Sequence, residues 1–127
     1  MKHIVSIGVL LTLFSFISLV DMTDEVVIAI GTGNSKEVSK FFGDNVDMKV
    51  LDQEGVYSRA QAELILKEFL AKHPVKKCTL AHKSAKSDSQ YAIVTMLTTN
   101  GQFRVFFLSK KVANKLTIQQ FRIETNE

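Results

Sequence analysis

The sequence predicts an α+β fold, with helices in the first part of the chain and antiparallel strands in the last part. Two strand-like runs flank Asn100-Gly101, the strongest short-range signal for a β-hairpin, because a tight two-residue turn needs positive φ at both central positions. Before residue 75 the pattern is mainly helical, whereas residues 76–124 have the pattern of strands. Helices that precede strands, rather than alternating with them, favour α+β.

Two short helices are predicted between residues 21 and 43. The first begins at Asp21, a good N-cap, and ends at Gly31 and Gly33. The second begins at Asn34, which has a glutamate three residues later as in a capping box, and Gly43 closes it.

A strand and a third helix follow. Residues 45–51 alternate apolar and charged side chains and are predicted as a strand, with a turn at residues 52–55 and a brief return after it. Ser58 and Gln61 fit the capping box of the third helix, which stops at His73-Pro74 because the residue before proline avoids the helical region.

The remaining chain is predicted as strands joined by turns. Residues 76–83 form the first of them, residues 84–89 a polar turn, and residues 112–114 the turn after the central hairpin. In the last strand, residues 116–124, the apolar positions change parity, which predicts a bulge near Gln119-Gln120.

The central hairpin is apolar on both faces. With Asn100-Gly101 as the turn, Thr99 faces Gln102 and Arg104 lies opposite Leu97. One face carries Ala92, Val94, Met96, Phe103, Val105 and Phe107, and the other carries Tyr91, Ile93, Thr95, Leu97, Arg104, Phe106 and Leu108. A half-exposed hairpin would alternate apolar and polar residues. We therefore expect helices to cover one side, and more of the chain, a ligand or a second subunit to cover the other.

Residues 1–20 are predicted to be separate from the fold. Lys2 and His3 precede an apolar run, Ile4 to Val20, which is typical of a secretory signal peptide. An uncleaved N-terminal anchor is the alternative, because the small residues expected before a cleavage point are poorly represented. Both interpretations predict an exported protein, periplasmic or associated with the cell envelope, with a single domain at residues 21–127.

Composition indicates little about partners. The chain has 16 basic and 13 acidic residues, interleaved along the sequence, and a formal net charge of +3. No basic stripe with interleaved aromatic residues occurs, so we expect no nucleic-acid partner.

No catalytic or metal-binding motif is evident. The Gly-Thr-Gly-Asn segment at residues 31–34 lacks both the preceding strand and the following Lys-Ser/Thr of a phosphate loop. Cys78, the only cysteine, is expected to be buried. It shares a predicted strand face with His82, but four residues along a strand span about 13 Å, too far for a catalytic pair. His73 is interpreted as a basic residue at a helix end. We expect no metal and no cofactor.

Arg104 is the most unusual polar residue, because it lies mid-strand on an otherwise apolar face. A buried arginine must be paired or bind an anion, whereas an exposed one packs its stem and keeps its head in water. Tyr91 and Thr95 share its predicted face. If that face lines a pocket or an interface, we expect Tyr91, Thr95 and Arg104 to be the ligand-binding or interface residues.

Four short motifs come in a recognisable order: Phe41-Phe42-Gly43-Asp44-Asn45-Val46, Gly55-Val56-Tyr57-Ser58, Gln61-Ala62 and Leu66-Lys67-Glu68-Phe69. Over roughly residues 22–124, this order resembles the nuclear-transport-factor-2-like (cystatin-like α+β) superfamily. The resemblance is closest to small exported members that are classed as domains of unknown function.

The resemblance implies a cone-shaped fold, in which three N-terminal helices pack in a curved antiparallel sheet of four to six strands around an internal pocket. Many members dimerise through the outer face of the sheet. Others are enzymes, such as ketosteroid isomerase, with a carboxylate base on the first strand. When Phe42-Gly43-Asp44 is aligned without gaps to the Phe-Ala-Asp of those enzymes, the position of their carboxylate base falls on Val50. A valine side chain cannot take a proton. Asp47 has the opposite parity and Asp52 falls in the predicted turn.

We therefore expect a non-catalytic exported binding or interaction domain that dimerises through its sheet. Its partners would be a second copy, and a small apolar ligand or an envelope protein. Contact with a membrane would be made only through residues 1–20, if they are retained. The alternative is a small-molecule enzyme of the ketosteroid isomerase-like type, acting in the cone pocket.

Overall fold

The computed structural model describes residues 21–126, so the predicted leader at residues 1–20 lies outside the described residues. The helices are α1 (Met22–Gly31), α2 (Ser35–Ser39) and α3 (Arg59–Lys72). The strands are β1 (Phe42–Val50), β2 (Gln53–Ser58), β3 (Val75–Ala85), β4 (Ser89–Thr98), β5 (Gly101–Val112) and β6 (Lys115–Thr125).

All six strands form one curved sheet in the order β2-β1-β6-β5-β4-β3, and the three helices cover one of its faces. This architecture confirms the predicted α+β class. Four pairs of strands that follow each other in the chain are antiparallel, β1–β2, β3–β4, β4–β5 and β5–β6, but β1 and β6 pair in parallel. The expectation of an antiparallel sheet misses this pair, because the two strands come from opposite ends of the domain and no hairpin sets their direction.

The predicted helix caps are confirmed. The side chain of Asp21 accepts a hydrogen bond from the amide of Asp24 at the start of α1. Asn34 caps α2 in the same way. At α3, Ser58 and Gln61 form a complete capping box, which satisfies amide groups that a helix start leaves without partners.

Helix α2 is shorter than predicted, and Gly43 lies inside β1 instead of closing the helix. The carbonyl of Phe41 accepts a hydrogen bond from the Ile118 amide at 2.7 Å. The chain therefore joins the sheet at Phe41, two residues before Gly43. The turn after β1 is also tighter than predicted, at Leu51-Asp52, with Leu51 in the left-handed region at φ 56. Residues 53–55 therefore belong to β2.

The central hairpin turns at Thr99-Asn100 rather than Asn100-Gly101, since Thr98 pairs with Gly101. Arg104 consequently lies opposite Thr95 and not Leu97. The Asn100 side chain determines this geometry, because it bonds to the Lys72 carbonyl at 3.0 Å and to the His73 ring at 2.7 Å. The register differs from the predicted one by two residues, so every side chain keeps its predicted face.

The face under the helices, here called the inner face, forms the core. Its strand residues are almost entirely enclosed: Val46, Met48, Ala92, Val94, Met96, Val105, Phe107, Phe121 and Ile123. They pack in one cluster with helix residues that include Val26, Ile30, Val38, Leu66 and Phe69. The uncovered opposite face is called the outer face.

Bulges determine which side chains reach each face. The predicted bulge in β6 is confirmed, because Leu108 pairs with Gln120 and Ser109 with Ile118, which leaves Gln119 as the extra residue. A second bulge at Ala81 in β3 was not predicted. It places His82 on the outer face, so the expectation that His82 shares a face with Cys78 is wrong.

Strand β3 forms one edge of the sheet. Besides Ala81, it has a register irregularity at Lys76, and Lys77 and Lys83 are exposed along it. Bulges and lysines on an edge strand hinder pairing with further strands.

Arg59 joins the start of α3 to β1. Its Nε donates to the Phe42 carbonyl at 3.2 Å, and its Nη2 lies 3.2 Å from the Asp44 carboxylate. Asp44 is 96% exposed, so the ion pair contributes little, while the bond to the backbone holds the helix against the strand.

We expect Arg59→Ala to lower the free energy of unfolding by about 1 kcal/mol, the net value of a typical hydrogen bond. Asp44→Ala is the control, because it removes only the exposed ion pair, and we expect a change below about 0.5 kcal/mol. Urea unfolding followed by circular dichroism measures both. Equal losses in the two variants would contradict the role given to the backbone bond.

Cys78 is half-buried, less enclosed than the sequence predicts. It lies on the inner side of β3 against the end of α1, near Gly31. Burial raises the pKa of its thiol from 9.0 to about 11, because the low-dielectric surroundings disfavour the thiolate.

We therefore expect iodoacetamide to alkylate Cys78 slowly at pH 8. The raised pKa leaves about a hundredfold less thiolate than an unperturbed thiol has. Mass spectrometry follows the modification over time, and the same protein unfolded in urea is the control. Equal rates in the folded and unfolded states would show that the thiol is accessible and unperturbed.

Candidate functional site

The inner face offers no open chamber at the position expected for a catalytic pocket. Met48, Met96, Val105 and Phe121 are fully buried there and fill the space between the sheet and the helices. The main hollows among residues 21–126 are open depressions on the surface, and one of about 490 Å³ is lined by Lys49, Leu51, Asp52, Glu124 and Thr125.

The expected base position also lacks an acid. Val50 is 7% exposed and belongs to the core. The paired residues of the strands place Asp47 on the outer face, and Asp52 is an exposed residue of the β1–β2 turn. Among residues 21–126, no group of three or more His, Cys, Asp or Glu side chains is placed to hold a metal ion.

The outer face of the sheet is the second candidate site, after the inner face. Its residues are arranged in rows across the strands. Two rows cross all six strands: Ser84, Tyr91, Leu108, Gln120, Asp47 and Val56, and next to it His82, Ile93, Phe106, Arg122, Lys49 and Glu54. A third, shorter row contains Thr79, Thr95, Arg104 and Glu124.

Four apolar side chains, Tyr91, Ile93, Phe106 and Leu108, form an apolar patch on β4 and β5. Ile93 opposes Phe106 and Tyr91 opposes Leu108, and all four are half-buried although no helix among residues 21–126 covers them. The rings of Tyr91 and Phe106 have centroids 5.9 Å apart. The Tyr91 hydroxyl lies 3.2 Å from Nε2 of His82, which joins this histidine to the edge of the apolar patch.

Charged side chains lie beside the apolar patch, on β1, β2, β5 and β6. Lys49 Nζ is 3.1 Å from the Glu124 carboxylate, and Arg122 Nη2 is 3.3 Å from that of Glu54. The hydrogen bond from Lys49 lowers the pKa of Glu124 below its usual value of 4.5, and the positive charges of Lys49, Arg122 and Arg104 act in the same direction. The face therefore presents both signs of charge next to an apolar centre.

The three residues singled out from the sequence all lie on the outer face, but they do not form one cluster. Thr95 and Arg104 oppose each other directly, while Tyr91 is four residues earlier on β4, about 13 Å along the strand. The Arg104 side chain is exposed. None of the three faces the interior, and their role at an interface stays a prediction.

Sequence reasoning identified the apolar face of this site but named only Tyr91 of its four central side chains as a site residue, and it missed the ion pairs. The apolar patch could have been found, because Ile93, Phe106 and Leu108 were already assigned to the face that needed a second cover. The ion pairs Lys49–Glu124 and Arg122–Glu54 could not be predicted, because they depend on the parallel pairing of β1 with β6.

Within residues 21–126, no helix has the length and apolar character needed to cross a membrane.

Comparison with solved structures supports the fold and identifies close relatives. A protein of the DUF4783 family from Bacteroides uniformis is 31% identical, with a TM-score of 0.81 over 84% of this chain and 99% of that chain. A second, from Bacteroides ovatus, is 33% identical, with a TM-score of 0.77 over 81% of this chain and 94% of that chain.

A domain of unknown function with a cystatin-like fold from Nostoc punctiforme shares only 8% identity, with a TM-score of 0.66 over 83% of this chain and 73% of that chain, and shows the fold alone. These likenesses confirm the cystatin-like, nuclear-transport-factor-2-like fold that the resemblance implies. No curated protein matches the sequence. The pattern of the DUF4783 family, described as a domain of unknown function, matches residues 23–124, and the chain belongs to that family.

Proposed function

We propose that this protein is an exported, non-catalytic interaction domain that dimerises through the outer face of its sheet. The observation that carries the proposal is the apolar patch of Tyr91, Ile93, Phe106 and Leu108, which lies on a face that none of the three described helices covers. A contiguous apolar patch with a polar border is typical of a protein–protein interface.

A second copy of the chain is the occupant that the face fits best. Lys49, Arg104 and Arg122 lie beside Glu54 and Glu124, so the same surface supplies both signs of charge to its two-fold mate. The outer face has six strands, spaced about 4.8 Å apart and roughly eight residues long. Its area, estimated as a flat rectangle without the relief of the side chains, is about 600 Å². This is comparable with the ~800 Å² that each partner buries in a standard interface.

The interior favours an interaction role over catalysis or binding of a small apolar ligand. An enzyme of the isomerase type needs an acid in a desolvated pocket. Here the inner face is filled by Met48, Met96, Phe107 and Phe121, and Val50 occupies the position of the base. A ligand of appreciable size would have to displace these side chains from a close-packed core.

Export is proposed from the sequence of residues 1–20, in which Lys2 and His3 precede the apolar run Ile4 to Val20. An exported interaction domain would meet its second copy, or an envelope protein, outside the cytoplasm.

The dimer is tested with Phe106→Glu. Because Phe106 lies at the centre of the apolar patch, we expect the added charge to raise the dimer dissociation constant at least about a hundredfold, the effect of losing a central contact. Leu64→Glu is the matched control, since Leu64 is 59% exposed on α3 and lies on the opposite side of the molecule. Sedimentation equilibrium on residues 21–127 measures both.

A wild-type protein that stays monomeric at high micromolar concentration would overturn the proposed dimer. So would an unaltered dimer in the Phe106→Glu variant, provided that its melting temperature shows a folded protein. An equal loss in Leu64→Glu would place the interface on the helices instead of the sheet.

Arg104→Met separates an interface role from a purely structural one. In the single chain the Arg104 guanidinium is exposed and its methylene groups lie along β5. We therefore expect the substitution to change the melting temperature little. If Arg104 pairs across the dimer, the dissociation constant rises by about tenfold and depends less on salt. An unchanged dissociation constant and salt dependence would exclude Arg104 from the interface.

A further inference from the structure

Four lysines lie on or beside two neighbouring turns at one end of the sheet. Residues 86–88 join β3 to β4, and residues 113–114 join β5 to β6. The turns are held side by side, because the Lys111 amide donates to the Asp88 carbonyl at 3.0 Å. The lysines on and beside these turns, here called the basic end, are all exposed: Lys86, Lys110, Lys111 and Lys115.

The basic end accounts for the net charge of the whole chain. Its two turns and the strand ends beside them contribute four lysines and one acid, Asp88, to the 16 basic and 13 acidic residues of the full sequence, while Asp21 and Asp24, which also lie at this end, pair with Lys83. Twelve basic and twelve acidic residues therefore remain elsewhere and balance each other. Among residues 21–126, no ion pair engages the four lysines of the basic end.

The chain enters the described domain at the same end. Lys83 Nζ lies 2.8 Å from the Asp21 carboxylate, and the Thr23 hydroxyl donates to the Gln90 side chain at 3.2 Å. These contacts attach the start of α1 beside the β3–β4 turn. The apolar run Ile4 to Val20 ends at the residue before Asp21.

An apolar side chain lies among the lysines. Val112 is 54% exposed and precedes the turn at Ala113 and Asn114, whose φ values of 52 and 67 place both in the left-handed region. An exposed valine surrounded by lysines suits the boundary of a bilayer, where apolar groups enter the acyl region and lysine heads reach the phosphates.

We propose that the basic end is a docking surface for a bilayer that contains anionic phospholipids. The charge matches phosphate headgroups, and the apolar run that precedes Asp21 brings this end of the domain towards a membrane. The basic surface alone would bind an anionic bilayer reversibly, and residues 1–20, if they are retained, would supply a second membrane signal beside it. The inference does not rest on the proposed dimer.

The test uses residues 21–127, so that the apolar run cannot itself bind lipid. This part forms a complete fold, because its core lies within residues 23–123 and the Bacteroides uniformis chain is matched over 99% of its length by 84% of this one. We expect it to sediment with vesicles of equal parts phosphatidylglycerol and phosphatidylcholine, and not with pure phosphatidylcholine. Higher salt should weaken the binding.

Lys110→Glu with Lys111→Glu should lower the partition coefficient by at least about twenty-five-fold, since each lysine near an anionic surface contributes about fivefold and the new carboxylates are repelled by it. Lys67→Glu with Lys76→Glu is the matched control. It makes the same change in net charge at exposed positions on α3 and on the opposite end of β3, and should bind more tightly than the first variant. Val112→Ser should lower binding severalfold without any change in charge.

Four results would overturn the proposal. The wild-type domain could fail to bind the anionic vesicles, or could bind pure phosphatidylcholine equally well. The Lys110/Lys111 variant could retain wild-type binding. The Lys67/Lys76 control could lose as much binding as the Lys110/Lys111 variant, which would mean that net charge alone, rather than this surface, attracts the protein. Melting temperatures show that each variant is folded.

Discussion

The parallel pairing of β1 with β6 joins the two halves of the molecule. Hydrogen bonds fix β1 at both ends, from the Ile118 amide to the Phe41 carbonyl and from the Leu51 amide to the Ile123 carbonyl. Without this pairing, β1 and β2 would be an isolated hairpin, which is only marginally stable in water. Val46 and Met48 would then leave the core, and α3 would lose the strand on which Arg59 holds it.

The same pairing explains what could and could not be predicted from the sequence. Caps, turn residues and alternating strands are local signals, and they located all three helices and the central hairpin. The bulge at Gln119 was predictable because two buried residues with opposite parity, Ile118 and Phe121, lie in one strand. Ala81 left no comparable signal, since its neighbours in the edge strand are mostly exposed and either register leaves the pattern unchanged.

The candidate site was predictable only in part for a similar reason. The apolar character of β4 and β5 on both faces indicated that a second cover was needed, and the uncovered face is indeed where Tyr91, Thr95 and Arg104 lie. Which residues adjoin them across the sheet depends on long-range pairing. Asn100 illustrates the limit at shorter range. Its side chain bonds to the end of α3, and this tertiary contact shifted the turn by one residue.

The edge strand β3 has a consequence for how copies of this protein can associate. Irregularities at Lys76 and Ala81, together with exposed lysines, interrupt the row of amides and carbonyls that a further strand would need. Growth of the sheet from copy to copy, which has no natural end, is therefore disfavoured at this edge. The proposed dimer, a two-fold contact through the outer face, would close after two copies. The chain would then carry an apolar surface at high local concentration and still form particles of defined size rather than fibres.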